Sequence, residues 1–360
     1  MKVAIGSQVF DGSWGGGNLF VKNLKNFLLE NNTKVVHYLE DPDIDIILIT
    51  EPRIESLTST ISLFEARLYK SLVNKNVKLI HRINECDERK DTNYVNKKMM
   101  KVSQYSDFTI FVSSWISDLY KKKGIKLKDS CVILSGSDTE VFNNIGKQPW
   151  DKKTKLKIVT HHWGNNWNKG FEIYLFIDNL LETRTFSNKF DFTFIGNLPD
   201  NFNFKNTNYI HPKSGLQLAN ELKKHNLYIT GSLNEPSGNH QIEGSLCGLP
   251  VLYINSGGIP EYQKNYGIEF NKNNLEEKLY EIFNNYEYYF EKNKSFDFNS
   301  KVMCKEYFDV IKSIYLPTNN SKNKISFYIY NLVCNKNFVS LIRYIVSRLT
   351  YQMRKVSKQD

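Results

Sequence analysis

The 360-residue chain lacks any uncharged apolar run of 18 residues or more, so no segment reads as a membrane-spanning helix. Its five cysteines are odd in number and widely spaced, with no CxxC pair, which argues against a disulfide framework and against a thiolate zinc site. They are expected to be reduced. The opening MKVAIGSQVF is strand-like and lacks the pattern of a secretory leader, so a cytoplasmic location is expected. Acidic residues are nearly missing from one place only: segment 321–360 holds eight Lys or Arg against one acid, which puts about +7 of the net charge of +10 there and leaves about +3 for the rest. A nucleic-acid binder would spread positive charge over its folded core, so nucleic acid is not an expected partner.

What is present fits two globular domains. Hydrophobic content is 41%, and apolar runs alternate with helical periodicity twice over, the pattern of an α/β chain with two parallel sheets and crossover helices. Strands are expected at 3–9, 34–39, 44–50, 77–83, 107–112 and 131–134, and again at 157–160, 190–195, 208–211, 227–230 and 251–254. Helices are expected at 18–30, 114–123, 170–182, 215–224, 239–246, 275–290 and 299–314. A polar stretch containing Pro149 marks the boundary, giving domains at 1–150 and 151–298. A basic amphipathic tail follows at 319–360. Two Rossmann-like halves of this kind collect ligands at the carboxyl ends of their strands.

The string EPSGNHQIEGSLCGLP at 235–250 follows the apolar run 227–230, so Glu235 is expected on a loop leaving a buried strand. Glu243 is then about one turn into a helix starting near Asn239, with its side chain in the same cleft. The backbone amides of 237–240, among them Ser237, Gly238 and Asn239, stand free at a helix N-terminus suited to phosphate or sugar hydroxyls.

This string resembles the retaining glycosyltransferases of the GT-B fold, family 4, whose motif is E-x7-E followed by G-x-P-V; here these are Glu235, Glu243 and the GLPV of 248–251. The resemblance covers roughly residues 1–316. It implies that Glu243 holds the ribose hydroxyls of a nucleoside diphosphate sugar and that Glu235 lies beside the transferred sugar. It also implies that the helix near 299–316 returns to complete the first domain.

Other motifs are weighed against that frame. GSWGGGN at 12–18 sits between the first strand and first helix, where glycines let backbone approach a ligand. The resemblance makes Gly16 and Gly17 a loop beside the donor diphosphate, with Asn18 on the acceptor side. A dinucleotide site is the rival, but Phe20 stands where GxGxxG needs its third glycine. At 160–171, THHWGNNWNKGF occupies the place of the family's G-R-L-x-x-x-K-G, whose Arg and Lys clamp the diphosphate. Lys169 and Gly170 match and the Arg is missing, so a histidine, His162, or amide dipoles stand in for it, or the clamp is weaker. Adjacent histidines on a strand end point to opposite sides, which disfavours a metal site.

His81, ending a buried strand, is the candidate for the family's histidine near the reacting sugar, and Arg82 beside it for a phosphate or an acidic acceptor. In NSGGIPEY at 255–262, Gly257 and Gly258 resemble the family's phosphate-meeting glycine pair. No metal or other cofactor is expected, since Lys169 and helix N-termini can neutralise the leaving group. The tail either lies on an anionic membrane, near a lipid-linked acceptor, or packs back onto the first domain. The expected activity is metal-independent, retaining transfer of a sugar to a glycan or lipid-linked hydroxyl. Alternatives are a nucleotide-sugar 2-epimerase, a lapsed sugar-nucleotide binder and a dehydrogenase using 15–20.

Overall fold

The computed structural model describes residues 1–10, 15–317 and 324–334. The two sets of apolar runs build two six-stranded sheets, parallel throughout. The first contains β1 (Lys2–Ile5), β2 (Lys34–Val36), β3 (Ile46–Ile49), β4 (Lys78–Ile83), β5 (Phe108–Phe111) and β6 (Ser130–Val132), in the order β2-β1-β3-β4-β5-β6. The second contains β7 (Leu156–His162), β8 (Phe190–Gly196), β9 (Asn208–Ile210), β10 (Leu227–Thr230), β11 (Val251–Ile254) and β12 (Ile268–Phe270), in the order β12-β11-β10-β7-β8-β9. Every side chain of β3 and β10 is buried, as strands covered by helices on both faces require.

The first sheet carries α1 (Gly16–Glu30), α2 (Leu63–Leu72), the single turn α3 (Asp87–Lys90), α4 (Val95–Tyr105) and α5 (Ser114–Lys122). The second carries α6 (Phe171–Leu180), α7 (Arg184–Ser187), α8 (Gly215–Leu222), α9 (Asn239–Leu246), α10 (Ile259–Gln263), α11 (Leu275–Asn284) and α12 (Tyr286–Asn293). The chain then recrosses. Helix α13 (Ser300–Ile314) lies on α1, with Tyr307 and Phe20 ring centroids 4.9 Å apart, and shares the core of the first sheet with Val3, Ile5 and Ile46. Helix α14 (Lys324–Val333) rests on α2 through an edge contact between Tyr330 and Tyr69 at 5.5 Å. The two crossings are stitched together: Ser137 N–H donates to the Phe298 carbonyl at 3.2 Å, and Ser300 N–H to the Ser137 carbonyl at 2.8 Å.

Element boundaries shift for local reasons. The first strand stops at Ile5, not at residue 9, because Ser7 N–H turns back onto the Ile5 carbonyl at 2.7 Å. The helix expected over 275–290 breaks at Asn285, whose side-chain amide donates to the Glu281 carbonyl at 3.0 Å. Helix α2, unforeseen, opens on a capping box in which Glu65 N–H donates to Ser62 Oγ at 3.2 Å and Ser62 N–H to Glu65 Oε2 at 2.8 Å.

Strand order reverses between β1 and β3 in one sheet and between β7 and β10 in the other. Ligands of open α/β sheets settle at such points, outside the carboxyl ends of the strands. Here the segments leaving β1, β3, β4, β7, β8 and β10 all line one cleft of about 680 Å³. That size suits a small organic ligand.

Candidate active site

The wall of the cleft that belongs to the second sheet is built around α9. Strand β10 ends in a loop that carries Glu235, and Gly238, at φ +73°, makes the left-handed turn into the helix. Both glutamates line the cleft, 4% and 5% exposed, together with Ser237, Gly238 and Asn239. Glu235 is locked by charge. Lys169 Nζ bonds its Oε1, and Arg89 Nε, from the other sheet's α3, donates to its Oε2 at 2.9 Å. Burial alone would raise the Glu235 pKa, but the Arg89 and Lys169 charges outweigh it and hold the carboxyl far below its usual range. Burial, with Arg89 beside it, lowers Lys169 to about 8 despite its bond to Glu235.

Glu243 is held differently. Its Oε2 accepts from His161 Nε2 at 2.9 Å. A carboxylate has nothing to donate, so Nε2 carries the proton and Nδ1 accepts from the Tyr228 hydroxyl at 3.1 Å. The same hydroxyl accepts the His161 backbone N–H at 3.1 Å, which fixes the ring.

His162 also lines the cleft, but it belongs to a buried network: its Nε2 meets the Tyr174 hydroxyl at 2.6 Å. Burial and the neighbouring His240 drive its pKa well down, so it is a neutral ring and supplies no charge in place of the missing arginine. The two adjacent rings diverge, His161 toward α9 and His162 toward α6, although the His240 ring centroid lies 4.6 Å from that of His162 and 6.4 Å from that of His161. No three His, Cys, Asp or Glu side chains form a metal-binding group among the described residues.

On the facing wall, Gly16 and Gly17 open α1 and line the cleft; residues 11–14 of the glycine loop lie outside the described residues. A Cβ on Gly16 would stand 2.9 Å from Asn239 Nδ2, so the glycine permits the two walls to approach. Asn18 lines the cleft too, but its side chain is used locally, accepting from Phe10 N–H at 2.8 Å and donating to the Phe10 carbonyl at 2.9 Å. Arg82 lies in the cleft over the Phe20 ring at 4.0 Å and donates to the Tyr307 hydroxyl at 3.2 Å. Phe20, in the place of a third glycine, is thus the aromatic that seats Arg82 and α13.

Two expectations are corrected. His81 is fully buried on the opposite face of β4 from Arg82, with Nδ1 on Ser103 Oγ of α4 at 2.8 Å, and it does not line the cleft. Burial lowers it to about 3, as expected of a neutral packing residue. Gly257 and Gly258 also lie outside the cleft, beneath the Glu235 loop: Gly258 N–H donates to the Glu235 carbonyl at 2.8 Å, and a Cβ on Gly257 would fall 2.3 Å from that oxygen. Their room is needed by protein backbone. Glu261, just beyond, caps α5 of the other domain, accepting from Ser114 N–H at 2.8 Å and Trp115 N–H at 2.7 Å. Sequence reasoning missed Arg89, whose loop offered no motif.

No protein-family model matches the sequence, and no curated protein matches it. Solved structures are similar in fold. Sucrose-phosphate synthase from Thermosynechococcus elongatus aligns with a TM-score of 0.62 at 14% identity, over 87% of this chain and 98% of its own. Anabaena HepE in complex with UDP aligns at 0.64 and 12%, over 87% and 100%. The lipopolysaccharide outer core galactosyltransferase WaaB gives 0.64 and 12%, over 87% and 99%. The chain therefore has the GT-B fold, two Rossmann-like domains facing across a cleft.

Proposed function

We propose that the protein is a retaining, family 4-like glycosyltransferase that moves a hexose-like sugar from a nucleoside diphosphate donor to a hydroxyl of a glycan or lipid-linked acceptor. The observation that carries this reading is the convergence of Glu235 and Glu243 on one cleft at the carboxyl ends of the strands, with Lys169 on Glu235. The UDP complex of a neighbour with the same fold adds support for a nucleotide donor.

In this reading Glu243, steadied by His161, accepts from the donor's ribose hydroxyls. Lys169 and the amides at the start of α9 face the diphosphate, stabilising charge on the leaving oxygen without a metal. The acceptor hydroxyl attacks from the side the phosphate leaves, and the departing phosphate oxygen takes its proton. Glu235 orients the sugar and stabilises its positive charge. Gly16 and Gly17 lie beside the donor diphosphate, and Arg82 and Asn18 take the acceptor side.

The tail fits a lipid-linked acceptor: α14 packs Tyr330 inward and turns Ile325, Tyr328, Ile329 and Leu332 outward. Among the described residues no helix is long and apolar enough to cross a membrane, so the contact would be with a surface. Residues 335–360, with Phe338, Leu341, Ile342, Ile345 and Leu349, lie outside the described residues. Co-sedimentation with phosphatidylglycerol vesicles, but not phosphatidylcholine ones, is the expected result; sedimentation with neither would remove the membrane role.

The reading is tested by thermal stabilisation with UDP, GDP, ADP and their sugars, followed by mass analysis of products. A sugar added to an acceptor supports transfer. Altered free sugar without acceptor indicates an epimerase, and no stabilisation by any nucleotide defeats the reading.

A further inference from the structure

The diphosphate clamp of the motif at 160–171 is short of one cation. Counting back from Lys169 by the G-R-L-x-x-x-K-G spacing, the position of the missing arginine is Gly164, which lines the cleft; a Cβ there would stand 3.2 Å from Lys169 Cε. A guanidinium from the other domain meets the same carboxylate as Lys169. Arg89 bonds one oxygen of Glu235 while Lys169 bonds the other, so one carboxylate is bracketed by a cation from each half of the molecule.

Arg89 is held there from two sides. Within its own domain, Asp87 ties the single turn α3 to the start of α4, accepting from Val95 N–H at 2.8 Å, Asn96 N–H at 3.0 Å and the Thr92 hydroxyl at 2.6 Å. From the second domain, Asn168 donates to the Arg89 carbonyl at 3.3 Å and Asn234 to the Glu88 carbonyl at 3.3 Å. The guanidinium is shared rather than saturated: Nε serves Glu235, and Nη1 serves Glu85 at 2.9 and 2.8 Å. Its Nη2 makes no protein hydrogen bond among the described residues, and the side chain is 21% exposed in the cleft. Charge at this end of the cleft favours an anion, since among the described residues the close ion pairs of Arg53, Arg89, Lys90 and Lys169 are made with three carboxylates, Glu51, Glu85 and Glu235.

We propose that Arg89, delivered across the cleft, is the second cation for the donor's diphosphate and replaces the arginine absent at 164. The proposal rests on the glycosyltransferase reading. A diphosphate between Arg89 and Lys169 competes with Glu235 for both cations, which releases the Glu235 carboxylate toward the sugar. Because Arg89 belongs to the first domain, the donor then bridges both halves, and its grip depends on their approach. The forked guanidinium suits paired phosphate oxygens better than a lysine does.

The test is calorimetric binding of UDP, GDP, ADP and inorganic pyrophosphate to the full chain, with the nucleosides as controls. Arg89→Ala should weaken the preferred diphosphate and pyrophosphate at least tenfold while nucleoside affinity stays within twofold, and Gly164→Arg in that background should recover most of the loss. Arg89→Lys serves if the alanine variant is unstable; a severalfold weakening of the diphosphate alone is expected. Diphosphate binding within twofold of wild type in Arg89→Ala, or in Arg89→Lys where only that variant folds, overturns the proposal and leaves the enzyme reading standing. Equal loss of nucleoside affinity, or no recovery by Gly164→Arg, makes Arg89 a prop for α3 and also overturns it. A wild-type chain that binds none of the four probes fails the enzyme reading itself.

Discussion

Glu235 and Glu243 stand eight residues apart at one loop-to-helix junction, equally buried, and their surroundings differ in kind. Glu235 is gripped by two cations, one of them from the other domain, whereas Glu243 receives a single hydrogen bond from a histidine of its own domain. One acid is therefore bound up with how the two halves meet, and the other belongs to a preformed pocket. The Glu243 end can receive a ligand as it stands. The Glu235 end must exchange partners first.

The largest effect that would sharpen this contrast comes from Glu235→Ala. It strands two cations in a poorly solvated place, so stability should fall by about 3 kcal/mol in a denaturant titration, and turnover should drop roughly a hundredfold as transition-state charge loses its stabilisation. Glu243→Ala should act on binding instead, raising the donor KM by roughly 10- to 100-fold for a lost charged hydrogen bond, with kcat within a few-fold and a smaller stability loss of about 1 to 2 kcal/mol for the His161 N–H left without its acceptor. If both variants damage turnover and affinity alike, the contrast breaks.

A smaller effect separates the two ends by pH. Lys169, lowered to about 8, is protonated below that value and neutral above it. Diphosphate affinity should therefore weaken as pH rises through about 8, and Lys169→Arg, which keeps its charge, should flatten that profile in calorimetric titrations. The sign for stability is opposite: the unfolded lysine holds its proton to higher pH, so the cost of burying charged Lys169 is relieved between about 8 and its ordinary value of 10.5. The smallest effect is expected from His81→Gln, with activity within twofold and a stability loss of roughly 1 to 2 kcal/mol, since His81 faces α4 and not the cleft. A hundredfold loss of activity there would restore it to the site.

Much of this was legible in the residues because buried parallel strands write themselves as apolar runs, and because Glu235, Gly238 and Glu243 are neighbours in sequence at one loop-to-helix junction, with Glu243 about one turn into the helix. The errors have physical sources. His81 and Arg82 sit side by side on β4, so they point to opposite faces, and only the packing of α4 decides which one meets the cleft. Gly257 and Gly258 have the composition of an anion loop, but their backbone serves the carbonyl of Glu235, 22 and 23 positions earlier. Arg89 lies 146 residues from Glu235, and no periodicity or motif reports a contact at that range.

The paired crossings at Ser137 and Phe298–Ser300 carry a practical consequence. Most residues of segment 143–155, between the first crossing and β7, are exposed, so a protease that severs the chain there leaves the halves joined by the second crossing and by α13 in the first core. The nicked molecule should migrate as two bands in denaturing gel electrophoresis and as one particle in gel filtration. For the same reason, genes trimmed to either half at that segment would separate α13 from the core it completes.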